Sequence, residues 1–313
     1  MAPDRFHAPV LVEEVVELFA ALPAGVIIDA TLGGAGHAEE ILNAATHLRI
    51  LGIDRDPAAV DEARARLAPF DSRALVVKAN FGELSEVIDR QAEFLQGDPV
   101  VGVLMDLGVS SHQLDEASRG FSFRADAQLD MRMDPTSGES AADYLSHVDV
   151  HELARLLRNN GEGRFAGAIA KSVVDRQPRT TGELSDAVER AVPMAARRRG
   201  HVATRVFQAL RIAVNGEEGQ LSDGLDAGLD ALIVGGLFAV ISYHSGEDRV
   251  VKAFFAEQQS GGCHCSLELG CVCGAIPRVR VFKASAQLAS VGEIALNPRA
   301  RSARLRAARK VAP

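Results

Sequence analysis

The sequence has no tryptophan, only 2 tyrosines and no uninterrupted apolar run of the roughly 20 residues that a membrane span needs. The stretch Met1–Val10 also lacks the apolar core of a secretion signal. These absences predict a cytoplasmic protein without a membrane segment. The 313 residues, 47% of them hydrophobic, are enough for one large domain and a second, smaller one.

An excess of positive charge is absent as well, because the formal net charge is -8 at pH 7. This argues against nucleic-acid binding through overall electrostatics, although local basic patches can still contact phosphates. The densest basic run lies near the C-terminus and contains Arg299, Arg301, Arg304, Arg306, Arg309 and Lys310. It has no apolar face wide enough for a core helix, so we expect a surface-bound or loosely ordered tail that could contact RNA.

Cysteine is confined to one short segment, which contains Cys263, Cys265, Cys271 and Cys273. A disulfide framework spread over a secreted fold is therefore excluded. Two Cys-x-Cys pairs separated by five residues supply four soft ligands that could surround one tetrahedral zinc ion. The spacing differs from the C-x-x-C of common zinc ribbons, so reduced thiols in a surface loop are the alternative.

Short apolar runs alternate with segments of helical length in the first third of the chain. The strand-like runs are Val26–Asp29, Arg49–Ile53, Ala74–Val77 and Val100–Met105. This alternation predicts a parallel α/β sheet flanked by helices, a Rossmann-like fold. A further strand is predicted at Leu237–Tyr243.

For about a hundred residues after Asp106 the periodicity indicates helices only. The helical segments are His151–Arg158, Gly163–Asp175, Gly182–Ala191 and Thr204–Val214. We therefore predict a smaller, all-helical domain inserted into the α/β domain. The predicted boundaries are 1–112 and 216–313 for the two parts of the α/β domain and 113–215 for the inserted substrate-recognition domain.

A glycine-rich turn follows the first predicted strand and contains Gly33, Gly34, Ala35, Gly36 and His37. Such a turn lets the backbone approach a ligand at the carboxyl edge of a sheet, although it can also be a simple tight turn.

Acidic residues indicate what the turn could bind. Asp54 ends the second strand, where a carboxylate can accept the hydroxyls of a ribose. The turn lacks the G-x-G-x-x-G register of a dinucleotide site, and Asp29 ahead of it suits a cationic ligand. Phe81 could pack on an adenine, or it could be a core residue beside a capping Asn80.

Polar residues also follow the fourth and fifth predicted strands. Asp106, Ser110 and Ser111 come after the fourth, and His244 comes after the fifth. Catalytic groups of open sheets gather at this edge, so these four residues are the predicted catalytic set. Alternatively, the two serines cap the next helix.

Nine segments along nearly the whole chain closely resemble the RsmH (MraW) family. They are His7–Leu11, Asp29–His37, Gly52–Asp56, Met105–Ser111, Arg119–Phe123, Asp130–Asp134, Ala203–Arg205, Phe207–Arg211 and Asn297–Ser302. The resemblance implies a class I S-adenosylmethionine-dependent methyltransferase that modifies N4 of a decoding-centre cytidine in the 16S rRNA of the small ribosomal subunit. The family's cofactor contacts fall on Ala35, Gly36, His37, Asp54, Phe81, Asp106 and Gln113.

Arginines supply a predicted RNA interface. Arg205 and Arg211 recur at helical spacing after a basic run at residues 197–201, and Arg299 and Arg301 lie in the basic tail. Such a face can bind phosphates, or it can be a solvated basic helix.

Three other functions remain open from the sequence. The chain could methylate another RNA base, DNA or a small amine, or it could be a ribosome-assembly factor whose binding matters more than its chemistry. A nicotinamide oxidoreductase is the third. The sequence does not distinguish a monomer from a homodimer.

Overall fold

The computed structural model describes residues 9–194, 202–263, 265, 272–283 and 285–313. His7, the basic run at 197–201 and Cys271 lie outside these residues. The chain forms two compact units: Val109–Glu218, and the remainder, in which the described residues up to Gly108 join Gly219–Pro313. None of the described helices is long and apolar enough to cross a membrane.

The larger unit is built on one sheet, which has eight strands among the described residues. The strands are β1 Gly25–Asp29, β2 Leu48–Asp54, β3 Ala74–Lys78, β4 Val100–Asp106, β5 Leu237–Ser242, β6 Val279–Val281, β7 Gln287–Leu288 and β8 Arg304–Lys310. Their order is β3-β2-β1-β4-β5-β8-β6, with β7 paired to β8. β1 to β5 are parallel, whereas β8 runs antiparallel to its neighbours.

Helices cover both faces of this sheet. They are α1 Val12–Ala20, α2 Gly36–Ala44, α3 Pro57–Leu67, α4 Leu84–Arg90, α5 Ala92–Leu95, α12 Glu217–Ala231, α13 Ser245–Ser260 and α14 Val291–Leu296. Adjacent residues of β1 enter different apolar clusters: Ile27 packs with Phe19 of α1, and Ile28 packs with Leu229 of α12. The predicted Rossmann-like α/β fold is confirmed, and its buried parallel strands explain the continuous apolar runs.

The smaller unit is helical and has its own core. Its helices are α6 Ser111–Asp115, α7 Ala141–His147, α8 Val150–Asn159, α9 Ala166–Arg176, α10 Thr181–Ala191 and α11 Val202–Asn215. The core contains Leu153, Ile169, Leu184 and Leu210. Between Val109 and Glu218, extended pairing among the described residues is limited to one bridge, Gln128 to Thr180, so the predicted helices are confirmed here.

The expectation of a surface-bound or loosely ordered tail is wrong for Arg304–Lys310. This segment is β8, paired on one side with β5 and on the other with β6 and β7. Leu305 and Ala308 supply buried apolar side chains. The charged members are accommodated by partners: Arg306 donates to Asp248, and the buried Lys310 Nζ donates to three main-chain carbonyls at the end of α12.

Candidate functional site

Three carboxylates end three neighbouring strands at the same edge of the sheet. Asp29 ends β1, Asp54 ends β2 and Asp106 ends β4. β1 lies between β2 and β4, so the strand order reverses at the β1/β4 boundary. In open α/β sheets, ligands bind outside the carboxyl ends of the strands at such a reversal.

The glycine-rich turn leads from β1 into α2. Gly33 has a φ of 52°, and Ala35, at the N-cap of α2, has a φ of 62°; Gly34 lies between them, partly exposed. A Cβ added at Gly33 would meet no heavy atom within 4 Å, so the turn leaves open space beside its backbone. Gly36 is crowded instead, because a Cβ there would lie 3.2 Å from the Pro9 ring.

Asp54 fixes this turn to the end of β2. Its Oδ2 accepts the N–H of Gly33 at 2.8 Å, and its Oδ1 accepts the N–H of Asp56 at 2.8 Å. Burial raises the pKa of Asp54 to about 6, although these two N–H groups act in the opposite direction. Each carboxylate oxygen can accept a further hydrogen bond, as a ribose diol requires.

Asp29 is almost fully buried, with 3% of its surface exposed. The N–H of Thr31 donates to its Oδ1 at 3.3 Å. Burial, followed by repulsion from Asp106 and Asp54, raises the pKa of Asp29 to about 8, against the effect of the Thr31 hydrogen bond. A nearby cation would favour the ionised form, so this residue suits a positively charged ligand.

Asp106 has one oxygen without a partner. Oδ1 is buried and accepts no hydrogen bond from any described residue, while Oδ2 lies 3.8 Å from Nδ1 of His37. Burial raises the pKa of Asp106, while His37 and a hydrogen bond from the hydroxyl of Tyr243 act in the opposite direction. The main-chain N–H of Asp106 donates to Oγ1 of Thr31.

His37 is buried and held by the segment before α1. Its Nε2 lies 2.8 Å from the carbonyl oxygen of Val10. Because a carbonyl only accepts, Nε2 carries the proton, and Nδ1 is the nitrogen that faces Asp106.

The residues after β5 form the start of α13. Nδ1 of His244 accepts the N–H groups of Gly246 and Glu247, and its Nε2 lies 2.8 Å from Oε1 of Glu247. Glu247 in turn accepts the N–H of Tyr243 at 2.9 Å. The structure therefore gives His244 a local role as a helix cap, and its predicted role in chemistry stays a prediction.

Two residues beside Asp106 were missing from the predicted site. Thr31 follows β1 by two residues, and Tyr243 directly follows β5. β5 is the neighbour of β4 in the sheet, so the strand order was the signal that could have found Tyr243.

Phe81 lies in a 3₁₀ turn after β3. Asn80 caps this turn by accepting the N–H of Gly82 at 3.0 Å. A Cβ at Gly224 of α12 would lie 2.7 Å from the Phe81 ring, so the half-buried ring packs closely on that helix. Packing of Phe81 on an adenine stays a prediction.

The remaining predicted residues of the strand-end motif lie in the helical unit. Ser110 caps α6: its Oγ accepts the N–H of Gln113, and Oε1 of Gln113 accepts the N–H of Ser110. Gln113 is buried, and Ser111 is the first residue of α6.

Two of the predicted RNA-binding arginines form ion pairs within the helical unit. Arg211, 9% exposed, donates two hydrogen bonds of 2.8 Å to Glu217. Arg205 pairs with the buried Glu162. Both guanidinium groups therefore have a carboxylate partner within the fold. Arg299 and Arg301 lie in the 3₁₀ turn Pro298–Ser302, where Arg299 is half-buried and Arg301 is exposed.

The sulfur atoms of Cys263, Cys265 and Cys273 lie within 4.8 Å of one another. Cys271, the fourth member of the predicted metal set, lies outside the described residues.

Comparison with known proteins gives consistent matches along the chain. Residues 4–311 match the MraW methylase family. The chain is 49% identical to ribosomal RNA small subunit methyltransferase H of Geobacter sulfurreducens, over 97% of this chain and 99% of that protein. It is 47% identical to the protein of the same name from Heliobacterium modesticaldum, over 97% of this chain and 98% of that protein. Among solved structures, an rRNA methylase from Streptococcus thermophilus is 10% identical with a TM-score of 0.41, over 96% of this chain and 94% of that one.

Proposed function

The chain belongs to the MraW methylase family of S-adenosylmethionine-dependent methyltransferases, and from that premise we propose that it methylates N4 of a decoding-centre cytidine in 16S rRNA. The relatives' name, ribosomal RNA small subunit methyltransferase H, supports rRNA of the small subunit as the substrate. The identity of the methylated atom, N4, and of the nucleoside, cytidine, is proposed from the motif resemblance and from the chemistry of Asp106.

The observation that carries the proposal is Oδ1 of Asp106, which has no hydrogen-bond partner among the described residues. A buried acceptor without a partner is costly in a folded protein, and such groups are commonly reserved for a ligand. An exocyclic amino group has N–H donors that would satisfy Oδ1, whereas a ring carbon has none to offer. A carboxylate that accepts from this amino group can hold the nitrogen in position for methyl transfer, which supports the amino nitrogen as the methyl acceptor.

The cysteines support the same choice. A common route to methylation of a pyrimidine ring carbon first adds a thiolate to the ring. All four cysteines of this chain fall within residues 263–273, in a loop that returns to the sheet at Val279, next to the amino-terminal end of β5. This is the sheet edge opposite Asp106, which lies at the carboxyl end of β4. An amino nitrogen needs no such nucleophile.

The residues at the sheet edge fit the cofactor. Asp54 can accept the ribose hydroxyls, the open space beside Gly33 lets a ligand approach the backbone, and the buried Asp29 suits a cationic group. We propose that these residues hold S-adenosylmethionine, together with Ala35, Gly36, His37, Phe81 and Gln113 from the family's pattern. When bound, the cofactor supplies an electrophilic methyl group on a positively charged sulfur.

The protein's part in the reaction is to orient the amino group. In cytosine the N4 lone pair is delocalised into the ring, so the nitrogen must be turned and aligned with the methyl carbon. We propose that Asp106 accepts an N4–H, which increases the electron density on nitrogen as the N–C bond forms and the C–S bond breaks. The proton that N4 then loses passes to this carboxylate or to water.

A methylation assay with nucleoside mass spectrometry tests the proposal. Small subunits from cells lacking this gene are incubated with the full chain and S-adenosylmethionine, and the rRNA is then digested to nucleosides. We expect N4-methylcytidine from one decoding-centre position, and no product with the Asp106→Ala variant. Methylation on C5 of cytosine, or on another base, would overturn the assignment of the acceptor.

A further inference from the structure

The cysteine-rich loop joins α13 to β6, and backbone contacts fix its base. The N–H of Gly262 donates to the carbonyl of Glu257, and the N–H of Arg278 donates to that of Gln258 at 2.8 Å. Gly261, with a φ of 64°, packs closely on the segment that leads into β6, where a Cβ on Gly261 would lie 2.5 Å from the carbonyl oxygen of Ile276. Backbone contacts therefore hold the two ends of the loop close together.

The described part of this loop has no apolar core. None of the side chains at residues 272–277 is buried, and Val272 and Ile276 are 87% and 68% exposed. Because the described part of the loop buries no apolar side chain, a metal ion or a covalent link would be a source of stability for it.

The polar atoms that converge in the loop are sulfurs. Three thiols, from Cys263, Cys265 and Cys273, have all their sulfur atoms within 4.8 Å of one another. Zinc–sulfur bonds of about 2.3 Å at a tetrahedral angle place ligand sulfurs about 3.8 Å apart, so the three sulfurs already lie near the spacing of ligands of one ion.

Hydrogen bonds to sulfur support the same interpretation. The backbone N–H of Val272, and then the thiols of Cys273 and Cys263, form hydrogen bonds to the sulfur of Cys265. Outer hydrogen bonds of this kind orient the ligands of metal sites.

We propose that Cys263, Cys265 and Cys273 bind a zinc ion that fastens the loop between α13 and β6. Soft thiolates select zinc over hard cations such as magnesium. Three thiolates leave one tetrahedral position for a further ligand or water. Cys271 lies outside the described residues and forms no part of the proposal, and the site is independent of methyl transfer.

Metal analysis of the full-length protein tests the site. The protein is purified under reducing conditions without chelator, dialysed against metal-free buffer, and analysed by inductively coupled plasma mass spectrometry. We expect about one zinc ion per chain, as in a structural site. Cys265→Ser should lose this zinc, whereas Ile276→Ser, at a side chain 68% exposed in the same loop, should keep it.

A second measurement avoids reliance on a variant that fails to fold. Metal-free wild-type protein is titrated with Co²⁺, and thiolate ligation should produce charge-transfer absorption in the near ultraviolet and tetrahedral d–d bands in the visible range. One equivalent of Zn²⁺ should remove both. The proposal is overturned if reduced wild-type protein takes up neither ion, if Cys265→Ser binds as much zinc as wild type, or if the thiols pair as a disulfide without metal.

Discussion

Asp54 and Gly33 are joined by a hydrogen bond of 2.8 Å from the main-chain N–H of the glycine to Oδ2 of the carboxylate. The bond links the end of β2 to the turn that follows β1. One side chain therefore shapes the glycine turn and, in the proposed cofactor site, also accepts hydrogen bonds from the ligand. The loss of Asp54 should affect both functions together.

Asp54→Ala is expected to weaken S-adenosylmethionine binding by roughly 10-fold to 100-fold, because hydrogen bonds to a charged group contribute about 1.5–3 kcal/mol. Calorimetric titration of the pure protein measures this change. Asp61→Ala is the control, since Asp61 lies on α3 with its side chain 80% exposed. Equal affinity of the Asp54→Ala and wild-type proteins would remove this residue from the cofactor site.

Binding of S-adenosylmethionine should depend on pH through Asp29. The pKa of this carboxyl is about 8 in the free protein, so the group is mostly protonated at neutral pH and must lose its proton to face a cation. Affinity should therefore rise with pH and level off above pH 8, with up to about a tenfold gain from pH 7. Titrations in two buffers of different ionisation enthalpy should detect proton release on binding.

Asp29→Asn is the matched control for that experiment. The amide keeps the size of the side chain and cannot ionise, so the pH dependence should flatten. S-adenosylhomocysteine, which lacks the sulfonium charge, should show a weaker dependence than S-adenosylmethionine. A wild-type affinity that does not change between about pH 6 and pH 9 would contradict the assignment.

Replacing Tyr243 should change the pH dependence of methyl transfer, because the Tyr243 hydroxyl forms a hydrogen bond to Asp106. The hydrogen bond from the Tyr243 hydroxyl lowers the pKa of Asp106, which burial otherwise raises. Tyr243→Phe removes this hydrogen bond, so the pKa of Asp106 should rise further. Because the ionised carboxylate is the form that accepts an N–H, the acidic limb of the kcat/KM profile should move to higher pH.

The pH profile distinguishes this role from a merely structural one. Loss of packing alone would lower kcat/KM at every pH without moving the limb. Asp106→Asn should reduce kcat by roughly 10²-fold to 10⁴-fold, the usual range for a lost proton acceptor. Full turnover by Asp106→Asn would exclude the carboxylate from the reaction.

Local patterns were enough to predict the parallel part of the sheet and its active edge. β1 and β5 are buried along their whole length, so their sequences are apolar up to the polar residue that ends each strand, Asp29 and Ser242. The glycine turn could be predicted because the positive φ of Gly33 favours glycine at this position. Asp54 could be found because it directly ends a strand.

Partners that are distant in sequence explain what the sequence did not predict. From the sequence, β8 is expected to be a charged tail, because Asp248, the partner of Arg306, is 58 residues away. Nothing local to Arg205 indicates that it pairs with Glu162, 43 residues away in the chain, and its predicted contact with RNA phosphate stays a prediction. A charge pattern along one segment carries no information about such long-range pairs.

The Arg306–Asp248 ion pair should be important for stability. Arg306 and Asp248 have side chains 9% and 12% exposed, so removing Arg306 leaves the buried carboxylate with the longer contact to the more exposed Arg304. Arg306→Ala is expected to lower the free energy of unfolding by about 3 kcal/mol. Arg304→Ala is the matched control, because Arg304 contacts the same carboxylate at 3.3 Å but is 47% exposed, and it should cost less than about 1 kcal/mol.

Urea unfolding followed by circular dichroism measures both variants. Similar losses for the two arginines would show that burial of the pair is unimportant. Near-native stability of Arg306→Ala would show that β8 does not depend on this ion pair.

Arg299 and Arg301 remain the predicted RNA contacts of the C-terminal region, since Arg304, Arg306 and Lys310 belong to the sheet. The double charge reversal Arg299→Glu and Arg301→Glu should weaken binding to small ribosomal subunits. Each lost phosphate contact should also reduce the slope of log affinity against log salt by about 0.7–0.9. Arg64→Glu is the control, because Arg64 is an exposed arginine on α3, and its slope should stay unchanged. Binding is measured by cosedimentation of the labelled protein with small subunits across a salt series. A double variant with the wild-type slope would exclude both arginines as phosphate contacts, since the number of neutralised phosphates sets that slope.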